Sequence, residues 1–116
     1  MRQLKGTAVH AGGGLVEGIA VVVHNAQEAG KRLQSSVAGR PLVLVCVNSS
    51  SQYESDLLRR VRGVVFEASV LRPSTMALAR EFGLPVVAGL GATIDAIRDG
   101  KAIFVDGQAG TVEVLG

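Results

Sequence analysis

The chain predicts a single α/β domain folded as one compact sandwich, and three observations carry that reading. Short apolar stretches alternate with short helical stretches in the order β-β-α-β-α-β-α-β-α-β-β. The 116 residues suffice for one domain and are too few for two. Fifteen glycines and an aromatic content of 3% imply tight turns around a core of Val, Leu, Ile and Ala.

Leu4 to Val9 reads as a short strand, and Gly12-Gly13-Gly14 as a turn. Leu15 to Val23 is a second strand, interrupted by Gly18 and ending in the β-branched run Val21-Val22-Val23. Asn25-Ala26-Gln27-Glu28 is an Asn-x-x-Glu start signal for a helix from about Ala26 to Leu33, with Glu28 and Arg32 spaced to pair. After Gly39-Arg40-Pro41, Leu42 to Val47 is continuously apolar and reads as a central strand buried on both faces. Asn48 to Gln52 is a polar loop. Glu54 to Val61 reads as a short helix with Leu57, Leu58 and Val61 on one face, and Val64 to Phe66 as a buried strand. Pro73 to Phe82 is the clearest helix, since Pro suits the first helical position and Gly83 the end. Pro85 to Ala88 is a strand. Ala92 to Arg98 is a helical turn, stopped by Asp99-Gly100. Lys101 to Val105 and Gly110 to Leu115 close the chain as a hairpin around Asp106-Gly107.

Apolar residues make up 47% and charged residues 19%, a globular composition. The net charge is +2, and the only dense basic run is Arg59, Arg60 and Arg62. Without an aromatic platform it reads as the solvated face of a short helix, so no nucleic-acid partner is expected. The lone Cys46 sits inside the apolar run LVLVCV, which fits an inert buried thiol and a reducing, cytosolic setting. No apolar run approaches the roughly 18 residues of a membrane span, and the N-terminus lacks a signal core. No metal-ligand spacing, phosphate-cradling Gly-Lys motif or nucleophile elbow occurs, so neither metal nor cofactor is expected.

The segment Ala79-Arg80-Glu81-Phe82-Gly83-Leu84-Pro85-Val86-Val87-Ala88-Gly89 is similar to an Ala-Arg-Glu-Leu-Gly-Ile-Pro-Ala-Val-Val-Gly pattern. It resembles the most characteristic stretch of the mobile, swivelling phosphohistidine domain of the phosphoenolpyruvate (PEP)-utilising enzymes. Gly6, Gly12 and Gly18 resemble that family's Gly-rich opening, and Leu42 to Val47 its central strand. Asp99-Gly100, Val105-Asp106-Gly107, Gly110 and Val112 resemble its ending. The resemblance covers nearly the whole chain and implies a swivelling β/β/α domain of the phosphohistidine type.

In the family, a Gly-Gly-x-Thr-Ser-His stretch precedes that segment, and its histidine is phosphorylated. Carried over residue by residue, the glycines fall on Ser69 and Val70, the Thr on Arg72, the Ser on Pro73 and the histidine on Ser74. A neutral imidazole is a good nucleophile and its phosphoramidate a good phosphoryl donor. A serine hydroxyl is protonated at neutral pH, and its phosphate ester donates poorly. His10, in the first turn, and His24, at a strand end, read as surface or turn-supporting residues.

Arg72, Ser74 and Thr75 open a helix, where free backbone N–H groups and the helix dipole favour an anion, and Arg72 adds charge. The simpler reading is an ordinary helix start with Arg72 solvated. Arg80 and Glu81 read as surface residues. The Asn48-Ser49-Ser50-Ser51 loop leaves a strand's carboxyl end, where α/β sheets bind ligands, or is a plain connector. These readings predict no catalytic residue. They predict a binding, regulatory or docking module, whose partner is a protein bearing nucleotide- or PEP-binding domains, or a second copy. The alternatives are a phosphotransfer component working with partner chains, through Ser74 or His10, and a pure dimerisation domain.

Overall fold

In the computed structural model, residues 2–9, 14–34, 39–47, 53 and 55–115 are described. Strands β1 (Arg2–Lys5) and β2 (Thr7–Ala8) come first, then β3 (Leu15–Val23), helix α1 (Ala26–Gln34), β4 (Leu42–Cys46) and helix α2 (Ser55–Leu58). The chain continues through β5 (Gly63–Phe66), helix α3 (Pro73–Glu81), β6 (Val86–Ala88), a 3₁₀ helix over Gly91–Ala96, β7 (Ala102–Asp106) and β8 (Thr111–Val114). The strands lie in one mixed sheet of order β1-β8-β7-β3-β4-β5-β6-β2, the mixed α/β architecture the sequence predicts.

Strands β3, β4, β5 and β6 run parallel, and β7, β8, β1 and β2 join them antiparallel. The apolar run of β4 is explained by burial on both faces. Leu44 and Cys46 point to one side with Val64, Phe66, Val86 and Tyr53, under Ala29, Leu33 and Ala79 of the helices. Val43 and Val45 point to the other side with Val65, Val87, Ile103 and Val112, covered by Ile94 and Ile97. A sheet wet on one face would have shown alternation; this one reads as continuous hydrophobic text.

The single expected strand from Leu4 to Val9 is two strands with Gly6 at the break. β1 pairs with β8 at one side of the sheet and β2 with β6 at the other, so consecutive residues clasp both sides. The Gly6 N–H donates to the Gly110 carbonyl oxygen at 2.8 Å. A Cβ on Gly6 would overlap the Ala88 carbonyl oxygen and stand 2.8 Å from Val87 Cγ1.

Asn25 caps α1 as its start signal predicts: its Oδ1 accepts from the Glu28 N–H at 2.8 Å. Glu28 does not pair with Arg32, however, but lies 3.3 Å from His24 Nδ1. Arg32 instead reaches Asp99, with Nη2 donating to Oδ2 at 2.7 Å and Oδ1 at 2.9 Å, and Nη1 donating to the Val22 carbonyl at 3.2 Å. Asp99 Oδ1 also accepts from the Val22 N–H at 2.9 Å. A carboxylate already anchored by a backbone N–H outcompetes a flexible neighbour on the same helix.

Burial pushes the Asp99 carboxyl pKa up. The Val22 N–H, then the Arg32 hydrogen bond and charge, more than offset this and hold it below its ordinary 3.8. A carboxyl lowered on folding contributes stability above its unfolded pKa, and that contribution is lost as pH falls through the folded value. Asp99→Asn should therefore cost about 1 kcal/mol at neutral pH, given the exposure of the pair. It should also flatten the acid limb of stability below about pH 4 in urea titrations.

Candidate functional site

The carboxyl ends of β4, β5 and β6 lie along one edge, the edge at which α/β sheets bind ligands. From Phe66, at the end of β5, the chain crosses this edge through residues 67–72 into α3. That loop is fastened on both sides. The Glu67 N–H donates to the Cys46 carbonyl at 3.0 Å, the Gly89 N–H to the Ala68 carbonyl at 2.8 Å and the Gly91 N–H to the Glu67 carbonyl at 3.1 Å. Gly89 has φ +73°, the left-handed region that glycine adopts without strain, and this conformation brings its N–H to the loop.

Arg72 sits ahead of α3 in extended backbone (φ −65°, ψ 137°) with no side-chain cap, and Pro73 takes the first turn. The first helical hydrogen bond runs from the Met76 N–H to the Arg72 carbonyl at 3.1 Å. The Ser74 and Thr75 N–H groups precede it and carry the positive end of the helix dipole. The three residues singled out for this helix start are thus brought together, but they face differently. Arg72 and Ser74 are exposed, whereas Thr75 is only 3% exposed, on the buried stripe with Ala79. Its Oγ1 is buried and has no hydrogen-bond partner among the described residues. Thr75 in this conformation offers an outside ligand its backbone, not its hydroxyl.

Sequence reasoning placed a family glycine on Val70 but gave its side chain no role; it stands 86% exposed at the tip of the loop leading into α3. The signal was legible: a β-branched residue in a polar turn with no periodic partner. Arg80 and Glu81 are exposed on the last turn of α3. His24 is occupied with Glu28. His10 and the Asn48–Gln52 loop lie outside the described residues. Cys46 is buried, and burial pushes its thiol pKa up to about 12 against the opposing hydrogen bond with Tyr53, so it is no nucleophile at neutral pH. Among the described residues no cluster of His, Cys, Asp or Glu is placed to hold a metal, and no helix is long and apolar enough to cross a membrane.

Comparison with known families matches residues 39–110 to the PEP-utilising enzyme, mobile domain. The chain belongs to that family. The match runs from β4 through the turn between β7 and β8, and so contains the whole edge just described. Among curated proteins, this mobile domain is 37% identical over 102 residues to a rifampicin phosphotransferase of Streptomyces sviceus. That alignment covers 88% of this chain and 11% of the relative, so the mobile domain spans about a ninth of that protein's length.

Solved structures share the fold. The mobile domain superposes on a chain of aconitase X (holo-form) from Thermococcus kodakaraensis with a TM-score of 0.70 at 18% identity, each covered in full. It superposes on Enzyme I with a TM-score of 0.53 at 24% identity, over 71% of this chain and 33% of that one. At these identities the likeness is one of fold, and the fold is that of the Enzyme I swivelling domain.

Proposed function

We propose that this mobile domain is a phosphocarrier module that has lost its carrier, and that it works by binding: the edge around α3 docks on a partner that bears a nucleotide- or PEP-binding domain. Ser74 occupies the phospho-acceptor position. The observation that carries the reading is the state of Ser74. It is exposed at the second position of α3, and among the described residues no side chain hydrogen-bonds to its hydroxyl to act as an activating base. Val70 supports docking, because an 86% exposed apolar side chain beside that position gains by being covered. The Arg72, Ser74 and Thr75 backbone and charge supply anion-binding character to the same surface.

A second reading, an active phosphotransfer component, draws on the relative's name as a phosphotransferase. Intact-mass spectrometry separates the two after incubation with cell extract and either ATP or PEP. The binding reading expects no acid-labile phosphate on the wild type, on Ser74→Ala or on His10→Ala. An acid-labile phosphate lost in His10→Ala would overturn it and mean a relocated carrier. An acid-stable phosphate lost in Ser74→Ala would mark Ser74 as a site of regulatory modification rather than a carrier.

A further inference from the structure

We infer that the end of the domain opposite the α3 start is a second docking surface, which takes an acidic segment of a partner protein carrying an apolar residue between carboxylates. At the amino ends of β4, β5 and β6 a cleft of about 410 Å³ opens between the α2–β5 connection and the end of α3. Its floor is apolar, with Val16, Leu84 and Pro85, and its rim carries Arg59 and Arg62. Arg59 is held in place by stacking: its Cζ stands 5.2 Å from the centroid of the Phe82 ring.

The rim belongs to a larger basic patch. Arg40 precedes β4, Arg60 adjoins Arg59, and Arg80 sits in the last turn of α3 just before β6. All five arginines are exposed. The ion pairs among the described residues are His24–Glu28 and Arg32–Asp99, so none of the five is compensated there. Glu17 and Glu81 stand at the same end, and Asp56 lines the neighbouring groove with Arg60, yet none of these carboxylates pairs with the arginines. A solvated helix face, the reading of the Arg59-Arg60-Arg62 run from sequence, accounts for two or three such residues. It does not account for arginines from three separate segments placed at the same end of the sheet as an apolar cleft.

The chemistry selects the partner. Guanidinium groups recognise carboxylates through paired N–H donors, and an apolar floor between them rewards an aliphatic or aromatic side chain. Single-stranded nucleic acid wants open aromatic faces for its bases, and the Phe82 face here is already covered by Arg59. The nine residues of α3 separate this cleft from the Ser74 surface by about 13 Å of helix. A partner segment can therefore hold the domain by one end while the other end stays open to a different surface.

The test is an NMR titration of the isotope-labelled full chain with a synthetic peptide in which a Leu-Leu pair is flanked by glutamates. A glutamate-only peptide and a thymidine oligonucleotide serve as controls. The expected result is shift changes confined to residues around Arg59, Arg62, Phe82 and Leu84. Binding should be weaker for the glutamate-only peptide and should weaken further as salt is raised to about 0.15 M. Arg62→Glu should weaken peptide binding about tenfold. Arg40→Glu, remote from the Phe82 stack, should weaken it less and serves as a second variant if Arg62→Glu is unstable. No shift changes, shift changes at the α3 start, or tighter binding of the oligonucleotide would each overturn the inference.

Discussion

Replacing Gly110 with Ala is expected to destabilise the domain by about 3 kcal/mol, a large share of the roughly 5–15 kcal/mol that holds a small domain, because two costs fall on one residue. Gly110 has φ +75°, a region in which a side chain costs about 1–2 kcal/mol. A Cβ there would also stand 2.7 Å from the backbone nitrogen of Ala8 and 3.1 Å from the carbonyl carbon of Thr7, atoms that cannot rotate away. Gly6→Ala meets the other side of the same crossing, against Ala88 and Val87, and should cost a comparable amount. Gly39→Ala is the control: φ is +88°, but nothing lies within 4 Å of the new Cβ, so only the backbone cost of about 1–2 kcal/mol applies. Urea midpoints for the three variants decide the matter. Equal, small losses at all three positions would show that the crossing of β1, β2 and β8 is not tightly held.

Tyr53→Ala should cost about 4 kcal/mol, because the ring is fully buried and its removal leaves a cavity that the sheet cannot close. The ring meets Phe66 edge-on at 6.0 Å between centroids and hydrogen-bonds with the Cys46 thiol. A second readout follows. In the wild type, Cys46 should react with a thiol reagent only on global unfolding. In Tyr53→Ala the reagent should reach it through local opening, and the rate should rise by more than the loss of stability alone accounts for. Tyr53→Phe keeps the packing and should lose about 1 kcal/mol, with little change in reactivity.

The central strands were legible because each is a Val-rich run between Gly or Pro punctuation, and burial on both faces leaves no other reading of LVLVC or GVVF. The start of α3 was legible from Pro73 for a local reason: a proline at the first helical position needs no distant partner. What failed depends on contacts between residues far apart in sequence. The break at Gly6 exists because β8 and β6 must both be reached by one short segment. The Arg32–Asp99 bridge spans 67 positions and displaced the nearer Glu28. The stretch after β6 is a 3₁₀ helix rather than an α-helical turn; Gly91 at φ +57° begins it, and Ile97 returns to extended backbone after it. At the candidate site, the buried hydroxyl of Thr75 follows from its i,i+4 spacing to Ala79, whereas the fastening of residues 67–72 by Gly89 and Gly91 could not be read from either segment alone.

The way β1 and β2 finish the sheet bears on how this domain meets other proteins. Its two outermost strands are four and two residues long, so the molecule offers almost no row of unpaired backbone groups to an incoming strand. Strand addition, a common route by which β-rich proteins aggregate or recruit extended peptides, is disfavoured along the described strands. Recognition there runs through side chains, and specificity can then be tuned one residue at a time without touching the backbone that holds the sheet together.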